Sequence, residues 1–241
     1  MNLLAIDTSS NACSVALLYE GGVSEQHVVE PREHTRILMP MIRKVLGERT
    51  VSDLDAIVLG NGPGSFIGMR IGAAVAQGLC YGANLPIIPV SSLAAVAAEV
   101  LAGSDGERVV VVQDARMHEV YCCAYHRAKD GLPAAVIDEC ILPVGPLPLG
   151  DGGYLAAGAA WKRYPDLLAA NAHSVTDIVP VECPRARVLL RLAAAGGKPI
   201  AAETLVPAYL RSKVADEPEM KELHKRIEEH LPLVKHLRVT I

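Results

Sequence analysis

Three groups of residues have types and spacing that chemistry could use. Gly60-Asn61-Gly62-Pro63-Gly64-Ser65 leads from an apolar run into a helical pattern, where backbone N–H groups can cradle a phosphate. It is not a Walker A loop, because no Lys-Ser/Thr pair follows, and Ile67 stands where the dinucleotide fingerprint needs its last glycine. The alternative is a tight strand-to-helix turn that requires positive φ. Asp7 and Asp114 each end an apolar run beside polar turn residues. Either could hold a magnesium–phosphate group through water, or accept hydrogen bonds from its own turn. Asp7, Thr8, Ser9, Gly62 and Gly64 form the candidate nucleotide contact. Cys13, Cys80, Cys122, Cys123, Cys140 and Cys183 contain no C-x-x-C pair and no zinc-ligand spacing. They read as reduced thiols of a cytoplasmic protein, several of them packed as small hydrophobes. His118-Glu119 lacks the second histidine of H-E-x-x-H, and Gly64-Ser65 lacks the G-x-S-x-G frame. These patterns do not demand catalysis.

The elements that must position these residues repeat. Leu3 to Ile6 reads as a buried strand ending at Asp7, followed by a polar turn, a strand over Cys13–Tyr19 and a glycine turn; Val23–Val29 reads as a third strand. A helix, a strand over Ala56–Leu59, the glycine loop, a helix over Ile67–Tyr81, a strand over Pro86–Val90 and a helix capped by Ser92 complete a mixed α/β unit. Strand, aspartate, polar turn, strand and glycine turn then recur from Arg108 through Asp114 to Gly131. Such a duplication predicts two lobes with a cleft between them. The lobes are expected at residues 1–103 and 104–216. Leu142 to Gly153 reads as a long loop and Arg185 to Ala195 as a helix. An amphipathic helix at about 217–232, with Met220, Leu223, Ile227 and Leu231 on one side, is expected to pack back on the first lobe.

Composition limits the function. Of 241 residues, 51% are hydrophobic and 21% charged, enough for a full core. A net charge of -4, with one Trp and one Phe, suits neither an unaided nucleic-acid grip nor a base-stacking platform. No residue from Ile71 to Ala98 is charged, but Gly82-Ala83-Asn84-Leu85-Pro86 breaks that run below membrane-spanning length. No membrane association is expected.

Two helices carry the sharper signal. Ile37, Leu38, Met41, Ile42, Val45 and Leu46 form an apolar stripe behind Thr35 as a cap. The helix from Ile67 has only Arg70 and Gln77 as long polar residues, and Gly68, Gly72 and Ala76 form a seam that permits close helix approach. A single sheet covers one face of each helix, so the remainder predicts contact with another chain. Met39, Ile42, Val45, Leu46, Ile67, Gly68, Ile71, Gly72, Val75 and Leu79 are the expected interface, and Gly72→Leu is expected to impair association without unfolding the monomer.

Ala5-Ile6-Asp7-Thr8-Ser9, His34-Thr35-Arg36-Ile37-Leu38-Met39-Pro40, Gly62-Pro63-Gly64-Ser65-Phe66, Asp114-Ala115-Arg116 and Pro207-Ala208-Tyr209-Leu210-Arg211 together resemble the TsaB (YeaZ) family. The resemblance spans nearly the whole chain. It implies the duplicated α/β ASKHA fold of actin and the sugar kinases, two lobes with mixed sheets. It also implies a noncatalytic subunit in the synthesis of threonylcarbamoyladenosine at adenosine 37 of tRNA. The implied partners are a TsaD-like catalytic paralogue and a TsaE-like ATPase, with a homodimer when alone, tRNA reached mainly through the partners, and ATP or ADP at the heterodimer interface. The catalytic paralogue carries H-H-M-E-G-H after a strand ending P-V, two of its histidines holding a metal. The matching positions here are Ser92 and Val96; valine cannot ligate a metal, and serine is a poor ligand for iron or zinc. The rival reading is an active nucleotide-dependent ASKHA-fold kinase or ATPase, supported by the glycine loop and the two aspartates.

Overall fold

Two five-stranded mixed sheets of the same topology organise the chain. The computed structural model describes residues 1–211; the expected helix at 217–232 lies outside them. The first sheet contains β1 (Leu3–Asp7), β2 (Ala12–Tyr19), β3 (Gly22–Val29), β4 (Ala56–Gly60) and β5 (Ile87–Val90), in the order β3-β2-β1-β4-β5. The second contains β6 (Arg108–Arg116), β7 (Glu119–Arg127), β8 (Pro133–Pro143), β9 (Tyr154–Ala157) and β10 (Val175–Ile178), in the order β8-β7-β6-β9-β10. In each, the first three strands pair antiparallel and the last two add in parallel. The repeated strand–aspartate–turn pattern is therefore a duplication of a whole sheet.

Strand alternation sorts the core. Along β1, Leu4 and Ile6 join one cluster with α1 (His34–Leu46) and α2 (Phe66–Ala83). Leu3 and Ala5 join another with α3 (Ser92–Ala102) and α6 (Ala186–Gly196). Burial on both faces explains why β1 is an unbroken apolar run up to Asp7. The opposite side of α3, with Leu93, Val96 and Val100, packs on Val109, Val111, Tyr121 and Tyr125 of the second sheet. α3 is thus sandwiched between the two sheets, which satisfies its all-round apolar character within the chain. The outer face of the second sheet is closed by Leu147, Leu149, Trp161 and Leu167, the last two from α4 (Ala160–Arg163) and α5 (Pro165–Ala170).

Several local expectations need correction. β8 replaces the start of the expected loop, running through Leu142 and Pro143 as the edge strand. The chain after β10 returns to the first sheet, where α6 packs on β1 and β2. It is tied there by Glu25 of β3 and Glu99 of α3, which pair with Arg185 and Arg187 at 3.0 to 3.8 Å. Thr35 is not a cap: α1 starts at His34 after Glu33, without a side-chain capping bond. The cap of α3 is Ser91, whose hydroxyl accepts the Ala94 N–H at 3.0 Å. Ser92 is one residue further in and turns inward.

Candidate functional site

The end of β1 is a buried polar knot. Asp7 is fully buried. Its Oδ1 accepts the Ser9 N–H and the Ser9 hydroxyl, both at 2.9 Å, and its Oδ2 accepts the Ser92 hydroxyl at 2.7 Å. Burial pushes the carboxyl up to about 6, against the opposing pull of the Ser92 and Ser9 hydrogen bonds. A side chain at Gly60 would overlap Asp7 Oδ2, so the glycine makes room for the carboxylate.

The glycine loop closes onto this knot. The Gly62 N–H donates to Ser92 Oγ at 3.1 Å, the Ser65 N–H to the Ser9 carbonyl at 2.6 Å, and the Gly68 N–H to Ser65 Oγ at 3.2 Å. Thr8 Oγ1 donates to the Gly68 carbonyl at 2.7 Å. Three donors of this loop and first helical turn, the Gly62, Ser65 and Gly68 N–H groups, are therefore engaged within the chain. Side chains at Gly64 and Gly68 would overlap the Ser9 and Thr8 carbonyls, whereas Gly62, at φ 86°, also meets the demand for positive φ. Asp7, Thr8, Ser9, Gly62 and Gly64 do come together, as the sequence suggests, but in a closed packing joint.

Asp114 occupies a different setting. Its Oδ1 accepts the Tyr164 hydroxyl at 2.8 Å and the Arg116 N–H at 2.9 Å; Arg116 and Arg163 lie 3.2 and 3.1 Å from Oδ2. Two guanidiniums facing one carboxylate oppose the role of a magnesium ligand. None of these partners is shared with Asp7. Among the described residues, no group of three His, Cys, Asp or Glu is placed to hold a metal. Ser92 is committed to Asp7 and Gly62, and Val96 is fully buried against the second sheet.

The expected interface residues divide into two sets. Ile42, Val45 and Leu46 are buried in the chain's own core beneath α1. Gly68 and Gly72 face Thr8, not an open groove: a Cβ at Gly72 would lie 2.5 Å from Thr8 Oγ1 and 3.4 Å from Leu59. The seam is thus for close packing of α2 on the β1–β2 turn, and Gly72→Leu would disrupt the fold itself. Met39, Ile71, Val75 and Leu79 are half-buried, and Ile67 is 70% exposed. With exposed Ala74, Gly78 and Tyr81, they leave the outer side of α2 without a charge beyond Arg70. Arg70 is itself held, its guanidinium 3.7 Å over the Phe66 ring and its Nε donating to Tyr209 Oη at 3.1 Å. That contact belongs to a strap, residues 206–209, which also bonds to Asn61: Asn61 Nδ2 donates to the Val206 carbonyl at 3.0 Å, and the Ala208 N–H to the Asn61 carbonyl at 3.1 Å. Sequence reasoning noted the Pro207–Arg211 motif but not its seat; no periodicity signals a pairing across so many residues.

Comparison with known proteins gives the family. The chain is 38% identical over 224 residues to the tRNA threonylcarbamoyladenosine biosynthesis protein TsaB of Escherichia coli, covering 89% of this chain and 96% of that one. The chain belongs to the TsaB family. A TsaB relative from Haemophilus influenzae is 46% identical over 131 residues, 54% of this chain and 56% of that protein. The solved structure of YeaZ from Pseudomonas aeruginosa superposes with a TM-score of 0.77 at 35% identity, covering 86% of this chain and all of the other. Residues 19–155 match the family model described as TsaD: tRNA N6-adenosine threonylcarbamoyltransferase. This TsaB-family chain accordingly has the duplicated ASKHA-like α/β fold. Among its described residues, no helix is long and apolar enough to cross a membrane.

Proposed function

We propose that this chain is a noncatalytic partner subunit in tRNA threonylcarbamoyladenosine synthesis, binding and supporting a TsaD-like catalytic chain. The observation that carries the reading is the outer face of α2, apolar and open along Ile67, Ile71, Ala74, Val75, Gly78 and Tyr81. An exposed apolar stripe of this kind marks a protein–protein contact. The docking face is narrower than the sequence suggests: Met39, Ile67, Ile71, Val75 and Leu79, with Ile42, Val45, Leu46, Gly68 and Gly72 supporting it from beneath. The same face serves a homodimer when the chain is alone.

Absence of catalysis rests on the positions that hold metal in the catalytic paralogue. Ser92 spends its hydroxyl on Asp7, and Val96 is core. A TsaE-like ATPase completes the assembly, tRNA is reached mainly through the partners, and ATP or ADP binds at the heterodimer face and not inside the Gly62–Gly64 loop. The rival kinase or ATPase reading is not favoured, since its two aspartates are engaged in separate internal networks. Reconstitution tests the proposal. Threonylcarbamoyl transfer to tRNA by the TsaD-like and TsaE-like proteins should require this chain, while the chain alone should neither transfer the group nor hydrolyse ATP. Transfer or turnover by the isolated chain would overturn it.

A further inference from the structure

The second sheet holds a cysteine pair that the proposed function does not use. Cys122 of β7 and Cys140 of β8 are directly opposite in the antiparallel register. Both are free thiols; Cys122 is buried and Cys140 is half-buried on the edge strand. The Cys140 thiol donates to the Cys122 carbonyl at 3.5 Å, and the two thiol groups lie within interaction distance of each other. The neighbouring Cys123 points to the other face of β7, where its thiol donates to the Ile137 carbonyl at 3.0 Å. Directly opposed residues have Cβ atoms about 4.5–5.5 Å apart, and a disulfide needs about 3.5–4.5 Å. An edge strand supplies that approach readily, and here the register shifts immediately beyond Cys122.

We infer that Cys122 and Cys140 form a reversible dithiol site that a hydroperoxide converts to a cross-strand disulfide. The Cys140 thiolate sulfur bonds the terminal peroxide oxygen as the O–O bond breaks, giving a sulfenic acid and, after protonation of the leaving oxygen, water from hydrogen peroxide or an alcohol from an organic hydroperoxide. The Cys122 sulfur then bonds the Cys140 sulfur and expels the sulfenic oxygen, which leaves as water with the Cys122 proton. The two thiols lose two electrons and the peroxide gains them; a dithiol reductant reverses the change by exchange. Cys140 is the attacking group because its sulfur, half-buried on the edge strand, is the more reachable of the two, and the buried Cys122 directly opposite resolves. The site also has a route to the rest of the fold, because Glu139, adjacent to Cys140, accepts the hydroxyl of Ser91 at the cap of α3.

The full chain, treated with hydrogen peroxide, then alkylated with N-ethylmaleimide in denaturant, tests this directly. The titratable thiols should fall from six to four. Non-reduced tryptic mapping should join the peptide Met117–Arg127 to the peptide that carries Cys140, and dithiothreitol should restore both. Cys123→Ser should keep the cross-link, and Cys140→Ser should abolish it. Retention of six thiols, direct oxidation of Cys140 to a sulfinic acid without a cross-link, or fragment ions that place the bond on Cys123 would each overturn the inference in the unmodified chain, whatever the variants' stability.

Discussion

Replacing Ser92 by alanine should destabilise the protein in a way that depends on pH. The Ser92 hydroxyl donates to Asp7 Oδ2 at 2.7 Å and accepts the Gly62 N–H at 3.1 Å, all within a buried knot. Alanine leaves both groups without that partner. An unsatisfied buried group costs about 1–3 kcal/mol, and more when it is charged, so the loss at pH 8 should be about 3–5 kcal/mol. The Ser92 bond is also the largest influence holding the Asp7 carboxyl down against burial. Without it the folded-state value climbs further, and the ionised form bears most of the loss. Near pH 5, where Asp7 is largely protonated, the deficit should shrink to about 2 kcal/mol. The unaltered protein carries a related signature. With Asp7 raised from 3.8 to about 6, the folded state binds the proton more tightly than the unfolded chain. Stability from this group is greatest below pH 3.8 and falls as pH rises through 6, by about 3 kcal/mol in all. Urea unfolding followed by circular dichroism at both pH values measures these differences. A Ser92→Ala loss below about 1 kcal/mol, or one equal at pH 5 and pH 8, would refute the reasoning.

Other substitutions separate the roles assigned here. Gly68→Ala places a methyl group against the Thr8 carbonyl and should lower the melting temperature by several degrees, whereas Gly78→Ala in the same helix meets nothing within 4 Å and should add about 1 kcal/mol; equal effects would show that the seam is not packed on Thr8. Glu25→Gln removes the charge facing Arg185 and Arg187 and should cost about 1–3 kcal/mol, a loss that should diminish at high salt if the network is electrostatic. The double variant Ser92→His with Val96→His should lose native circular dichroism and gain no stoichiometric zinc in titration calorimetry, because position 96 is core; a folded, zinc-binding variant would contradict that placement.

Much of the fold was legible because its strongest signals are local. The run from Leu3 to Asp7 and its recurrence from Val109 to Asp114 announce two like sheets, and the run from Pro86 to Val90 announces a further strand. What escaped was set by contacts distant in sequence. β8 leaves no strand signal, because Pro133–Pro143 is mostly half-exposed and lacks a clean alternation. The return of α6 to the first sheet rests on burying Leu189 and Leu190 with Leu3 and Ala5 and on pairing Glu25 and Glu99 with Arg185 and Arg187, all contacts between residues far apart in the chain. The site shows the same division. The sequence picks out Asp7, the glycine loop and α2, but a glycine reveals only that a side chain is missing, not which atom fills its place. Gly68 and Gly72 could serve a partner helix or the protein's own turn, and the structure gives the space to Thr8. The apolar character of α3 and α2 is similar on paper. Two sheets cover α3, while α2 keeps one side open.

Calorimetric titration of this chain into the TsaD-like catalytic subunit, with and without Ile67→Glu, most directly tests whether that open side is the docking face. The unaltered chain should bind one to one. Ile67→Glu, at a 70% exposed position, should keep its circular dichroism and weaken binding at least about 100-fold, since a charge buried at an interface costs several kcal/mol. Undiminished binding by a folded Ile67→Glu chain would contradict the account.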